Sequence, residues 1–155
     1  MSGTDTTEAR AVRTRGPHIA RLLGFSGAGP FLVLVLYLLS HPDDGLAARA
    51  FIVYSALILA FLGGIRWGAA GNQGEGERQD MDLWISILPA LTAWGALLLP
   101  TYDYQLALLL LGHLATAIVD GLLPPKGQLR WLRSLRLQLS GVVLICHALL
   151  LTLLL

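Results

Sequence analysis

Apolar residues in this chain come in long runs rather than in alternation, broken by short polar punctuation. A helix that crosses the roughly 30 Å hydrocarbon core of a bilayer needs about 20 mainly apolar residues, at about 1.5 Å of rise each. Five runs reach that length, at about 21–40, 47–70, 81–99, 104–123 and 135–155. They are closed by His41-Pro42-Asp43-Asp44, the polar stretch 71–80, Pro100 and Pro124-Pro125. Proline and polar clusters end helices. The expected fold is therefore an all-α membrane protein, a bundle of five transmembrane helices over 21–155. A mobile cytoplasmic segment, 1–20, is expected before it.

Composition agrees. Of 155 residues, 55% are hydrophobic and only 14% are charged, against about 25% charged in soluble domains. Mean hydropathy is +0.65. A net charge of +1 gives no footprint for DNA or RNA, so no nucleic-acid partner is expected. The single cysteine, Cys146, forms no intramolecular disulfide and no zinc motif, and no metal site is expected.

Basic residues set the orientation. Arg10, Arg13, Arg15, Arg21, Arg78, Lys126, Arg130, Arg133 and Arg136 fall on one side, and only Arg49 on the other. Positive residues accumulate on the cytoplasmic side, which places the N-terminus inside and the C-terminus outside. Trp84 and Trp131 then fall near the inner interface, and Tyr102 and Tyr104 near the outer one. The apolar run 31–39 follows a basic region, but a long polar segment precedes it and Gly29-Pro30 interrupts it, so no cleaved signal peptide is expected. Asp5 and Glu8 count against a mitochondrial transit peptide. Five spans do not divide into the equal inverted halves common among transporters.

The second run carries Phe61-Leu62-Gly63-Gly64-Ile65-Arg66-Trp67-Gly68. Ala56, Ala60, Gly64 and Gly68 recur every four residues, a stripe expected to let another backbone approach closely. Arg66 projects elsewhere, beside Gly63 and Ala70. An arginine within a span is costly unless it snorkels or is paired. Asp120, the acid well inside a span, matches its depth and is the expected partner, direct or through water; Asp82 is placed at a span end. The carbonyl of Ile85, freed by Pro89, is a further acceptor for Arg66. Pro30 and Pro89 are expected to kink their helices.

Asp120 shares a helical stripe with His113 and Thr116, and the fifth run carries Ser140 and His147. In an antiparallel hairpin of the fourth and fifth helices, facing positions keep a nearly constant index sum. His113 should then meet His147, and Asp120 should meet Ser140. Such a seam can be structural, because unpaired polar groups are expensive in hydrocarbon. It can also form a proton or small-molecule site open to the cytoplasm. No cofactor is expected; haem between His113 and His147 is the alternative, without a motif to support it. No phosphate loop or nucleophile elbow is present.

The strings Leu23-Gly24-Phe25-Ser26-Gly27-Ala28-Gly29-Pro30-Phe31, Phe61 to Gly68 as above, and Leu88-Pro89-Ala90-Leu91-Thr92-Ala93-Trp94, followed by Asp120, resemble domain-of-unknown-function family 3429, the transmembrane-protein-69-like group, over 22–155. The resemblance implies a small integral membrane protein, bacterial or mitochondrial, with no established activity. Arg- and Leu-rich usage fits a bacterial inner membrane. The expected role is non-enzymatic: an accessory or assembly partner of a larger membrane complex, with the bilayer, another membrane protein or a second copy as partners. The alternatives are a small proton-coupled transporter or permease that uses the polar cluster, and a membrane-embedded lipid-modifying enzyme.

Overall fold

The computed structural model describes residues 4–72, 76–124 and 130–154, with side chains for 18–72, 76–124 and 131–153. Five helices follow one another: α1 (Thr4–Ser40), α2 (Gly45–Gly71), α3 (Glu77–Leu97), α4 (Tyr102–Leu122) and α5 (Arg130–Leu154). No strand occurs among the described residues. Four stretches are long and apolar enough to cross a membrane: His18–Ser40, Gly45–Gly71, Tyr102–Leu122 and Trp131–Leu153. The third helix does not reach that standard. Its 21 residues begin with Glu77, Arg78, Asp80 and Asp82, so its apolar part is shorter than in its neighbours.

Helix packing explains how that chain segment is accommodated. Helices α1, α2, α4 and α5 form a closed ring, each touching the next, and α3 lies outside it against α2 and α4. The core fills the ring with Phe31, Val35, Leu38, Phe51, Ile52, Leu59, Leu106, Leu109, Val143 and Leu150. Removing each of these from water is worth about 1.5–3 kcal/mol in a soluble protein. In lipid, close packing must supply the holding force instead.

The sequence boundaries shift in physically readable ways. The first helix continues back to Thr4, into the segment expected to be a mobile cytoplasmic one. Asp44 caps α2, accepting from the N–H groups of Leu46 and Ala47 at 3.0 Å each, which moves its start forward to Gly45. The expected prolines, Pro30 and Pro89, lie inside helices that continue through them.

Within this chain the expected packing stripe of α2 is only half engaged. Ala56 is buried and Ala60 half-buried, but Gly64 and Gly68 are exposed, with open space where a side chain would be. A four-residue repeat drifts about 40° per step on a helix of about 100° per residue, so the stripe rotates out of the interface. The buried face of α2 follows Ile52, Ser55, Leu59, Gly63, Arg66 and Ala70, an alternation of three and four that holds one direction. Gly63 makes the close approach: a methyl there would run into the Ser86 carbonyl and lie 3.4 Å from Pro89 Cβ. Gly112 does the same on α4, where a methyl would meet Leu59 at 2.7 Å and Thr92 at 2.9 Å.

Candidate functional site

Buried polar residues gather in two places. The first is at mid-height in the ring. Ser55 of α2 lies between two imidazoles, its Oγ 3.1 Å from His113 Nε2 and 2.8 Å from His147 Nε2. His113 and His147 therefore do meet, with ring centroids 5.2 Å apart. Phe31 of α1 stands edge-on to His113 at 6.5 Å, and Phe51 stands edge-on to His147 at 4.9 Å. Each helix of the ring thus contributes to one layer.

The proton positions in this layer follow from its acceptors. His147 Nδ1 is 2.8 Å from the Val143 carbonyl, which can only accept, so Nδ1 carries the proton. Among the described residues no acid is bonded to either ring, and charging an imidazole in hydrocarbon is costly, so both rings are neutral. His147 Nε2 then accepts the Ser55 hydroxyl proton, and His113 Nε2 donates to Ser55 Oγ. His113 Nδ1 is left as a bare acceptor. Both Nε2 atoms converge on one hydroxyl.

The second cluster lies nearer the end where α2 meets α3 and α4 meets α5. Arg66 and Asp120 do come together, with Nη1 donating to Oδ1 at 3.5 Å. The closer partner is Asp82, whose Oδ1 accepts from Arg66 Nη2 at 2.5 Å. The same Nη2 donates to the Leu123 carbonyl at 2.9 Å, not to the expected carbonyl of Ile85. Arg136 Nε donates to Asp120 Oδ2 at 2.9 Å. Arg78, one turn before Asp82, places Nε 3.6 Å from Asp82 Oδ2 and donates from Nη2 to the Pro124 carbonyl at 3.3 Å. Arg133 donates to the Gly121 carbonyl. Three guanidiniums thus cap carbonyls at the C-terminal end of α4, where unsatisfied acceptors and the negative end of the helix dipole favour cations. Arg66, Asp82, Asp120 and Arg136 are 3%, 0%, 3% and 5% exposed, so the four charges are held by each other and not by solvent.

The expected Asp120–Ser140 contact is absent. The carboxylate takes Arg136, one turn earlier on α5, because a guanidinium outcompetes a hydroxyl for a carboxylate. Thr116 donates to the Gly112 carbonyl of its own helix at 2.8 Å and joins neither cluster. Sequence reasoning missed Ser55, Asp82 and Arg136. Each lies on a three-and-four stripe that was available to be read: Ser55, Leu59, Gly63 and Arg66; Asp82, Ser86, Pro89 and Ala93; Arg136, Ser140, Val143 and His147.

Two cavities adjoin these clusters. One of about 80 Å³ lies among α2, α3 and α4 and touches Arg66, Thr116, Asp120 and Arg136. The other, about 360 Å³, lies chiefly between α1, α2 and α5 and is apolar except at His113, Arg136 and Ser140. Among the described residues, no three His, Cys, Asp or Glu side chains are grouped as metal ligands.

A helical membrane protein with a buried ion-pair network and a neutral histidine layer is the class that fold and sites define. The chain belongs to the family described as protein of unknown function DUF3429, whose profile matches residues 16–152. It is 34% identical over 131 residues to transmembrane protein 69 of Xenopus tropicalis, a match covering 81% of this chain and 51% of that protein. The chain thus spans about half the length of that curated relative. No solved structure matches.

Proposed function

We propose that this chain is a non-enzymatic accessory or assembly partner of a larger membrane complex in a bacterial inner membrane. All five helices span in this reading, with the N-terminus inside and the C-terminus outside. The observation that carries it is the use of the buried charge. Asp82 and Asp120 are both engaged by arginines, and two of these, Arg66 and Arg78, also donate to carbonyls at the end of α4, so the network fixes helix positions. What the protein offers others is its outer surface, with Trp67, Trp84 and Trp94 all more than half exposed. Such anchors suit contact with lipid or with a neighbouring membrane protein. Affinity purification of the full chain in native lipids tests the reading. Co-purification of other membrane proteins at fixed stoichiometry is expected; a chain that runs alone would overturn it.

The small cavity touching Arg66, Asp120 and Arg136 favours a second reading, a proton-coupled permease, since charged groups inside membranes mark ion pathways. Proton flux into proteoliposomes, lost on Asp120→Asn, distinguishes it from the first.

A further inference from the structure

The charges around the end of α4 do not balance. Among the described residues, four guanidiniums gather there, those of Arg66, Arg78, Arg133 and Arg136, against two carboxylates, Asp82 and Asp120. Arginine does not give up its proton in a protein, so the excess is two positive charges. The negative end of the α4 dipole offsets about half a charge. Glu77 and Asp80, the other acids described at the start of α3, are exposed and bond to none of these arginines.

The excess sits at the depth of lipid headgroups. The 21 residues of α4 rise about 31 Å, close to the roughly 30 Å hydrocarbon core, so the end of a spanning α4 reaches the headgroup layer. Arg78 of α3 and Arg133 of α5 meet that end, donating from Nη2 to the Pro124 and Gly121 carbonyls. Both side chains are half-buried. Nε of Arg78 faces Asp82, but Nη1 of neither arginine is bonded or buried. Trp84 and Trp131 lie on the same two helices, the first 75% exposed and the second half-buried, and such rings favour the membrane–water interface. Water satisfies an N–H donor without balancing its charge. A phosphate does both, and its oxygens match the guanidinium fork. At headgroup depth every phospholipid presents one.

We propose that the rim formed by Arg78 and Arg133 at the end of α4 binds the phosphate of an anionic phospholipid. The phosphate oxygens accept from the free Nη1 groups, and the net charge of the lipid meets the excess. Basic pockets between membrane helices recognise anionic headgroups in this way. A zwitterionic lipid carries its own cation beside its phosphate, so it leaves the excess unmet. The site therefore selects by net charge, and the bound lipid completes the set of groups that hold the end of α4.

The test places the full chain in mixed micelles where phosphatidylglycerol and phosphatidylcholine of matched acyl chains compete, and counts retained lipid by native mass spectrometry. A preference of about tenfold for phosphatidylglycerol is expected, the scale of two arginines at a membrane surface. Arg78→Gln and Arg133→Gln should each reduce it to about threefold, and the double variant should bring it close to parity. Arg133→Lys keeps the charge and should retain most of the preference. Arg49→Gln, at an exposed position near the opposite end of α2, should leave it unchanged. Circular dichroism restricts the comparison to folded variants, and the competition on the unaltered chain decides even where a variant does not fold. Equal retention of the two lipids, a preference that survives in the folded double variant, a preference lost in Arg49→Gln, or displacement of the lipid by millimolar inorganic phosphate would each overturn the proposal.

Discussion

The two buried polar clusters solve the same problem by different means. The mid-height layer is neutral, and one hydroxyl, Ser55, serves both histidines. The second cluster is charged, and it draws on four helices and the terminal carbonyls of α4. A neutral group in hydrocarbon needs a hydrogen bond, whereas a charge needs a countercharge and most of its hydrogen-bonding capacity filled. The charged cluster should therefore be the more costly to breach, and the neutral layer the more tolerant.

Arg66→Leu is the strongest way to break that contrast. It removes one partner from Asp82, one from Asp120 and a cap from Leu123. Loss of about 3–5 kcal/mol is expected, the range for a buried pair deprived of one member, measured by reversible unfolding in mixed detergent micelles. A loss no larger than that of Ser55→Ala would erase the distinction.

Ser55→Ala tests the neutral side. It leaves two imidazole nitrogens without their shared partner and should cost about 1–3 kcal/mol in the same assay. A glycine pair sharpens the account of the α2 face. Gly63→Ala forces α2 from the Ser86 carbonyl and should cost about 1–3 kcal/mol, as overpacking does. Gly64→Ala meets open space and should stay within about 0.5 kcal/mol. Equal effects at both glycines would restore the Ala56–Gly68 stripe as the packing face.

The smallest effect lies outside both clusters, in the α1–α2 turn. The N–H of Ala47, then the Tyr37 hydroxyl, hold the Asp44 carboxyl below its ordinary pKa of 3.8. A lowered folded-state pKa gives stability that is present above the unfolded value and lost as pH falls through the folded one. Unfolding curves should therefore show a small loss of stability below about pH 4, removed by Asp44→Asn. A loss of the same size in that variant would place the titrating group elsewhere.

The parts legible from sequence were those carried by long-range pattern. Apolar run length gave four spanning helices and the existence of the fifth. Index-sum matching on the α4–α5 hairpin brought His113 to His147, and depth matching brought Arg66 to Asp120. The same matching failed for Ser140, because it ranks positions by height and ignores the reach of an arginine one turn away. Asp82 was placed at a span end because hydropathy fades there, yet α3 lies outside the ring and presents Asp82 to α2, where it is fully buried. Arg136 was counted among cations at the membrane surface for the same reason. A charge near a helix end is ambiguous in one dimension, and only packing decides whether it faces water or a partner.

The central claim is that Arg66, Asp82, Asp120 and Arg136 act as one network. Double-mutant cycles on detergent-solubilised protein measure it most directly, pairing Arg66→Leu with Asp82→Leu and, separately, with Asp120→Leu. Each pair should be coupled, with interaction energies of about 0.5–3 kcal/mol. The Asp82 cycle should give the larger value, because that contact is 2.5 Å against 3.5 Å and Asp120 keeps Arg136. Additive losses in both cycles would contradict the account.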